Sequence, residues 1–240
     1  MSKFEYNKRY EILDFTRGIA IILMFAYHLS FGFSQLGLVD INFSTELFWV
    51  SFRTLIVFLF LSLVGIGLYL ASRIGLKIKP YLKRLTLLLV YFCLITLLSK
   101  SVRPDYYVFF GILHLIFVSS ILGLLFIRFY WFNLFFGLSL FLLGKLLTFP
   151  IFDHPLLIWF GMSELKPITD DFAPLVPWFG FVLVGIFLGK YLFEKNDFIS
   201  INTWRSSAWY TSLTSWMGRH SIHLYFIHFQ LFYVLVYFFG

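Results

Sequence analysis

Seven long apolar runs constrain this sequence more than any other feature. They cover residues 12–36, 46–72, 82–100, 107–127, 130–150, 173–193 and 217–239. A helix needs about 20 mainly apolar residues to cross the hydrocarbon core of a bilayer, and each run comes close to that length or exceeds it. Sixty per cent of the 240 residues are hydrophobic and only 13% are charged, unlike a soluble domain. The sequence therefore predicts an all-α, polytopic transmembrane bundle of about seven spans.

Short connections separate the runs, so we expect a single transmembrane domain over residues 1–240. Segment 200–216 is too polar to span and carries three Trp, which predicts a helix at the cytoplasmic interface. The connection 151–172 is long, which predicts a cap over part of the bundle. The net charge of +7 is attributed to basic loops rather than to nucleic-acid binding. The lone Cys93 predicts neither a disulfide nor a metal site.

The basic residues predict the orientation, because loops rich in Lys and Arg stay in the cytoplasm. They are concentrated before the first run and in alternate connections, whereas the other connections hold most of the acids. The concentrated residues are Lys3, Lys8, Arg9, Arg17, Arg73, Lys77, Lys79, Lys83, Arg84, Arg128, Lys190, Lys195, Arg205 and Arg219. We therefore expect a multi-pass protein of the cell membrane with a cytoplasmic N-terminus and an outer C-terminus. The first run contains three ionisable groups and no cleavage site, so it is interpreted as a retained span.

Ionisable side chains inside the runs are the first candidates for function, because such groups usually face a bundle interior or a watery cavity. In the first run, Asp14 and Arg17 are one turn apart and can pair. His28 lies on the same face, roughly 16 Å further along the helix. A plainer interpretation has Asp14 and Arg17 anchoring the helix by snorkelling, with His28 bonded to a neighbouring backbone.

Three ionisable groups in other runs are further candidates. Arg53 opens the second run near the predicted outer surface, where snorkelling is again the plainer explanation. His114, in the fourth run, has a predicted depth similar to that of the first-run histidine, which favours a common site. In the seventh run, Ser221, Tyr225 and His228 share one face, and His228 lies near the midplane.

The start of the sixth run combines cap and turn chemistry. Asp170 or Asp171 can cap the helix, and Pro177 is predicted to kink or delay it, leaving backbone donors exposed beside Trp178. This bent segment is interpreted either as a site for a polar ligand or as a structural corner. The small residues predicted to allow close helix contacts are Gly65, Gly67, Gly185 and Gly189.

The sequence resembles the prokaryotic relatives of heparan-α-glucosaminide N-acetyltransferase, a family of transmembrane acyltransferases. Four motifs carry the resemblance in this order: LDFTRGIAIILMFAYH, FGILHLI, DDFAPLVPWFGFVLVGIFLG and GRHSIHLYFIH. They extend from residue 13 to residue 229. The spacing of Arg17 and His28 is also similar to that in the first helix of other membrane acyltransferases. The chain is short for the family, so the identity of the substrate is not carried over.

The resemblance implies an enzyme that moves an acyl group, in particular acetyl, from cytoplasmic acetyl-CoA or another acyl-CoA to a glycan or other polar acceptor at the outer face. Histidine suits this reaction, either as a general base or as the group that accepts the acyl group itself. The predicted catalytic residues are His28, His114 and His228. The predicted acyl-CoA-binding residues are Arg17, Asp14, Arg84, Arg219 and Ser221, and those for the acceptor are Asp171, Trp178 and Arg53.

Two other functions are compatible with the residues alone. A small proton-coupled transporter or permease could use buried His, Asp and Arg as a relay, although the sequence shows no pair of similar halves. A scaffold without catalytic activity would leave the similar predicted depth of His28 and His114 unexplained. The sequence also leaves open whether the chain forms a homo-oligomer in the bilayer.

Overall fold

The computed structural model describes residues 10–165, 167–194 and 204–239, with the backbone alone for 232, 233 and 235–239. These residues form eight α-helices: α1 Glu11–Gln35, α2 Leu47–Arg73, α3 Ile78–Val102, α4 Ile112–Phe126, α5 Trp131–Leu146, α6 Leu175–Glu194, α7 Trp209–Arg219 and α8 Ser221–Phe239. Over the same residues there is no β-strand, only an isolated bridge between Phe110 and Phe172. The all-α prediction is confirmed. Several predictions concern residues outside this range, namely Lys3, Lys8, Arg9, Lys166, Lys195 and 200–203.

The helices are those of a membrane bundle. Four of them, α1, α2, α3 and α6, are long and apolar enough to cross a membrane. Helices α4 and α5 are also apolar but have only 15 and 16 residues. The fold class predicted from the apolar runs is therefore confirmed. The count of seven spans and the orientation stay predictions.

Helices α4 and α5 are shorter than the apolar runs that contain them. Gly111 has an extended backbone, so α4 begins at Ile112 rather than near residue 107. Helix α5 ends at Leu146, because Leu147 is extended and Pro150 follows closely. Proline cannot continue a helix. Apolar composition therefore overstated the length of both helices.

A tight hairpin joins α4 to α5. The buried side chain of Asn133 donates through Nδ2 to the carbonyl oxygens of Phe126, at 2.9 Å, and Phe129, at 2.6 Å. The last carbonyls of a helix have no partner within the helix. Asn133 therefore satisfies the end of α4 and fixes the turn into α5.

The chain divides into two compact units, which are described separately. Unit 1 comprises residues 1–60 and 191–240, and unit 2 comprises residues 61–190. The single domain predicted from the short connections stays a prediction.

In unit 1, α7 packs directly against α1 at two glycines. Gly18 of α1 lies against the backbone of Thr214, and Gly218 of α7 lies against the backbone of Asp14, so a side chain at either glycine would collide. The α7 residues buried by this packing are small or hydroxylated: Thr211, Ser215 and Gly218. The exposed residues are Ser212, Arg219 and four large apolar residues, three of them aromatic: Trp209, Tyr210, Leu213 and Trp216. The helix predicted within 200–216 therefore exists from Trp209, with an aromatic outer face that suits a membrane interface.

In unit 2, α6 forms the core. Val176 is extended, with φ −98° and ψ 128°, so the regular helix starts at Pro177. Proline suits the first turn of a helix, and the predicted delay of this helix is confirmed. From Trp178 to Phe187 every residue is buried.

Glycines allow α6 to pack closely in unit 2. Gly65, Gly185 and Gly189 lie where a Cβ atom would collide with a neighbouring helix, and Gly185 lies on the backbone of Ser62. These three predicted contacts are confirmed. The prediction for Gly67 is wrong, since a Cβ atom there would meet no described atom within 4 Å. Gly67 is two residues after Gly65 and therefore faces about 200° away around the helix.

The glycine contact between α1 and α7 predicts that alanine destabilises the protein at Gly18 but not at Gly67. Gly18→Ala should lower the free energy of unfolding by about 1–3 kcal/mol, because the new methyl group meets the Thr214 backbone. Gly67→Ala is the matched control. It should be neutral or stabilise by up to about 1 kcal/mol, because alanine is the better helix former. Thermal unfolding in detergent measures both, and equal midpoints would contradict the close packing at Gly18.

Candidate active site

Two histidines from different helices of unit 1 are in contact. The ring centroids of His28, on α1, and His228, on α8, lie 4.7 Å apart with an interplanar angle of 66°. His228 follows the buried residues Ser221 and Tyr225 along one face of α8, as the spacing predicted. Two of the three histidines predicted to be catalytic are therefore in contact in the structure.

The hydrogen bonding of His28 fixes its tautomer. The Nδ1 atom lies 2.9 Å from the carbonyl oxygen of Met24, one turn earlier on α1. A carbonyl oxygen only accepts, so Nδ1 carries the hydrogen, and in the neutral ring Nε2 holds the lone pair. The ring also meets Tyr27 edge to face, at a centroid distance of 5.5 Å. The plainer interpretation expected a bond from His28 to a neighbouring backbone, and the bond to Met24 confirms it. This bond makes Nε2 the basic nitrogen of the neutral ring.

The ring of His228 has two buried and unsatisfied nitrogens. It stacks on Phe25 at a centroid distance of 5.1 Å, and Tyr225 lies 6.3 Å away. Neither Nδ1 nor Nε2 makes a hydrogen bond of good geometry with a described residue, although the main chain of Tyr225 is close enough to interact with the ring. A buried polar group without a partner costs about 1–3 kcal/mol. A polar ligand that bound here would therefore gain one donor and one acceptor beside His28.

Predicted acyl-CoA-binding residues meet near the first turns of α1. Arg17 Nη1 lies 3.0 Å from Asp14 Oδ1, so the predicted pair is confirmed. Asp14 is buried and Arg17 is half-buried. Gly218 lies on the Asp14 backbone, so the chain at the exposed Arg219 and the buried Ser221 follows directly from the first turns of α1. Arg17 therefore lies near the end of α1 that α7 contacts, and His28 lies roughly 16 Å further along α1.

The remaining predicted residues lie elsewhere. Arg53 is on α2 in unit 1, and its buried Nε has no hydrogen-bond partner among the described residues. In unit 2, Arg84 is half-buried on α3, and Trp178 is buried on α6. Their roles in binding substrates stay predictions.

His114 has both ring nitrogens engaged within unit 2. Its Nδ1 accepts the backbone N–H of Gly111 at 3.2 Å, so Nε2 carries the hydrogen. Nε2 lies 3.3 Å from Thr96 Oγ1, and that hydroxyl in turn donates to the carbonyl oxygen of Val108. The ring packs on Phe92 at 4.3 Å. These contacts favour a packing role, and the predicted catalytic role of His114 stays a prediction.

Asp171 caps a different helix from the one predicted. Its Oδ2 accepts the backbone N–H of Ile112, the first residue of α4, at 2.9 Å, and its carboxylate fills the space beside Gly111. The predicted cap on α6 is therefore wrong, because the chain between Asp171 and α6 turns away to pair with the segment before α4. The neighbouring Asp170 forms an ion pair with Arg103, at 2.9 Å, which the sequence did not predict.

The catalytic-domain model described as "Heparan-alpha-glucosaminide N-acetyltransferase, catalytic" matches residues 9–230. This range extends from the start of α1 well into α8 and includes all three histidines considered above. No curated protein and no solved structure matches the chain.

The cap on α4 predicts that the side chain of Asp171 stabilises the fold, whether or not it also binds a substrate. Asp171→Ala should lower the free energy of unfolding by about 1–2 kcal/mol, because the Ile112 N–H loses its acceptor. Asp171→Asn keeps an acceptor oxygen without the charge and should be close to wild type in stability. Chemical denaturation in detergent measures both variants. If asparagine and alanine destabilised the protein equally, the cap would not be the main role of this side chain.

Proposed function

The chain belongs to the heparan-α-glucosaminide N-acetyltransferase catalytic family, a family of membrane acetyltransferases, and on this premise we propose that His28 and His228 form its reaction centre. The reaction proposed is transfer of the acetyl group of acetyl-CoA to an amine or hydroxyl of a sugar-like acceptor. One observation carries the proposal: the two rings lie in contact, and both nitrogens of His228 are buried and unsatisfied.

In this proposal His28 is the general base. Its Nε2 removes the proton of the acceptor N–H or O–H while the acceptor attacks the thioester carbonyl carbon. The C–S bond then breaks, its electron pair leaves with the sulfur of CoA, and the proton held on His28 passes to that thiolate. The Met24 carbonyl holds Nδ1–H throughout and stabilises the imidazolium that forms. A positioned general base typically contributes about 10²–10⁴-fold to the rate.

His228 is proposed to bind the reacting groups. Its N–H donates to the thioester oxygen as negative charge develops there, and its other nitrogen accepts a hydrogen bond from a second N–H or O–H of the acceptor, which keeps its proton. Donors held in a site that excludes water stabilise a developing oxyanion strongly. The stacking of His228 on Phe25 supports this role, because it holds the ring in place without using either nitrogen. If His28 instead accepted the acetyl group itself, acetylated protein would accumulate in the absence of acceptor.

The donor is proposed to bind with its phosphates near Arg17 and Arg219 and its thioester near His28. Guanidinium groups bind phosphate through paired, charge-assisted hydrogen bonds. The separation of roughly 16 Å along α1 is comparable to the length of an extended pantetheine chain. The predicted orientation supports this placement, since it puts the start of α1 in the cytoplasm, where acetyl-CoA is found.

Substitution of either His28 or His228 is predicted to abolish most acetyl transfer while the protein still folds. His228→Phe keeps the stacking on Phe25 and removes both unsatisfied nitrogens, so it should keep or raise the thermal midpoint while transfer falls at least about 100-fold. His28→Asn retains a donor for the Met24 carbonyl but has no basic nitrogen, so transfer should fall by about 10²–10⁴-fold.

Release of CoA thiol by purified protein with acetyl-CoA and an amino-sugar acceptor measures these rates. The matched control is His223→Ala, an exposed histidine on the same helix, which should keep full activity. Wild-type turnover in either His28→Asn or His228→Phe would exclude the proposed reaction centre.

Arg17 predicts a separate effect on donor binding. Arg17→Gln alone leaves the buried Asp14 carboxylate without its partner, so it should also destabilise the fold. The double variant Asp14→Asn with Arg17→Gln removes both charges. It should recover most of the stability while the dissociation constant for CoA rises about tenfold, because a phosphate contact is lost.

Isothermal titration with CoA measures this dissociation constant. Arg128→Gln, which removes an exposed arginine between α4 and α5, is the control for loss of positive charge in general. An unchanged dissociation constant in the double variant would show that Arg17 only anchors α1.

A further inference from the structure

Helix α5 is too short to cross a bilayer by itself. Its 16 residues rise about 24 Å, whereas the hydrocarbon core is about 30 Å thick. One face of α5 is exposed and mainly apolar. Its apolar members recur every three or four residues, namely Phe132, Phe135, Leu138, Leu142 and Leu146, and the exposed Ser139 lies on the same face. Such a face suits contact with lipid. Because α5 does not cover the whole thickness of the hydrocarbon core, we expect the residues that follow α5 to contact the remaining part.

The exposed apolar surface continues beyond the end of α5. Within residues 147–162, the exposed large apolar residues are Leu147, Phe149, Ile151, Leu156 and Leu157. Ile151 is 67% exposed and Leu156 is 74% exposed. An open groove in this segment is lined by Pro150, Ile151, His154, Leu156 and Leu157. Between Leu147 and Met162 the only acidic or basic residue apart from His154 is Asp153. A surface of this kind is unusual for a loop in water and typical of one in contact with lipid.

The backbone of this connection is satisfied from within. Phe149 N–H donates to the carbonyl oxygen of Met162 at 2.8 Å, which closes the segment at its base. The N–H groups of Leu157 and Ile158 both donate to the carbonyl oxygen of His154. The indole of Trp159 donates to the carbonyl oxygen of Leu156 at 2.8 Å. Non-helical backbone can lie at membrane depth only when its polar groups find partners within the protein. This segment largely meets that condition.

The polar groups of the segment are collected on one edge. Asp153 Oδ1 accepts hydrogen bonds from the Ser163 hydroxyl, at 2.6 Å, and from the backbone N–H groups of Glu164 and Leu165. The charged edge therefore contains Asp153 and Glu164, whereas Ile151 and Leu156 project from the apolar part. This separation of polar and apolar groups is that of a segment lying in a membrane interface.

We propose that residues 147–162 are inserted in one leaflet of the bilayer, the outer leaflet in the predicted orientation. Ile151 and Leu156 lie among the acyl chains, and Asp153 and Glu164 lie at the level of the head groups. The segment continues the lipid-facing surface of α5 to the membrane interface, where Trp159 is a suitable anchor. The occupant of the apolar groove is the acyl region of bilayer lipid. This proposal does not depend on the reaction proposed above.

Single-cysteine labelling tests the insertion directly. Cys93 is the only cysteine of the chain, so Cys93→Ala provides a background without thiols. Ile151→Cys and Leu156→Cys are exposed positions that carry an environment-sensitive fluorophore without disturbing a core. Leu142→Cys on α5 is the lipid-facing control, and Glu164→Cys, exposed in the same connection, is the control at the polar edge.

The labelled proteins are reconstituted in phosphatidylcholine vesicles and treated with brominated acyl chains or with iodide. We expect brominated lipid to quench the labels at 151 and 156 at least half as strongly as the label at 142. Iodide should quench only the label at 164. Quenching of the 151 and 156 labels by iodide would place the segment in water and overturn the proposal. Protection of both labels from both quenchers would overturn it as well, because a second protein copy would then cover the segment.

Discussion

The contact between the rings of His28 and His228 depends on how closely α1 packs against the C-terminal helices of unit 1. Helix α7 lies directly on α1 at Gly18 and Gly218, and α8 starts only two residues after α7 ends. This glycine contact therefore determines the course of α8, and with it the position of His228. The backbone of α1 adds the second constraint, because the Met24 carbonyl sets the tautomer of His28. The proposed chemistry thus depends on helix packing that involves small residues and main-chain atoms.

Helix α1 carries both Arg17, proposed to bind the phosphates of acetyl-CoA, and His28, proposed to lie at the thioester. It is unbroken from Glu11 to Gln35, so Arg17 and His28 stay in register on one face. Arg17 is paired with the buried Asp14, and this ion pair helps to orient its guanidinium group. A donor that binds one group with its phosphates can then present its thioester to the other. The two groups have different roles because the phosphates of the donor need a fixed cation and the acceptor needs a neutral base to take its proton.

Local sequence spacing predicted some features of this protein and could not predict others. The apolar runs gave the helices, and the spacing of three residues gave the Asp14–Arg17 pair, because both depend on the helical period alone. The cap of Asp171 on α4 and the contact of His28 with His228 join residues far apart in the sequence. Such contacts depend on how helices pack, which no local spacing determines. Phe25, whose ring stacks on His228, lies three residues before His28 on α1, so the helical period alone places these two side chains on one face.

A double-mutant cycle on acetyl transfer tests the central claim most directly. Transfer rates are measured at saturating acetyl-CoA for wild type, His28→Asn, His228→Asn and the double variant, each with its thermal midpoint checked. If the two rings act together in one transition state, the double variant will be no slower than the slower single variant. If the two losses multiply, the histidines act independently and the account of a shared reaction centre is wrong.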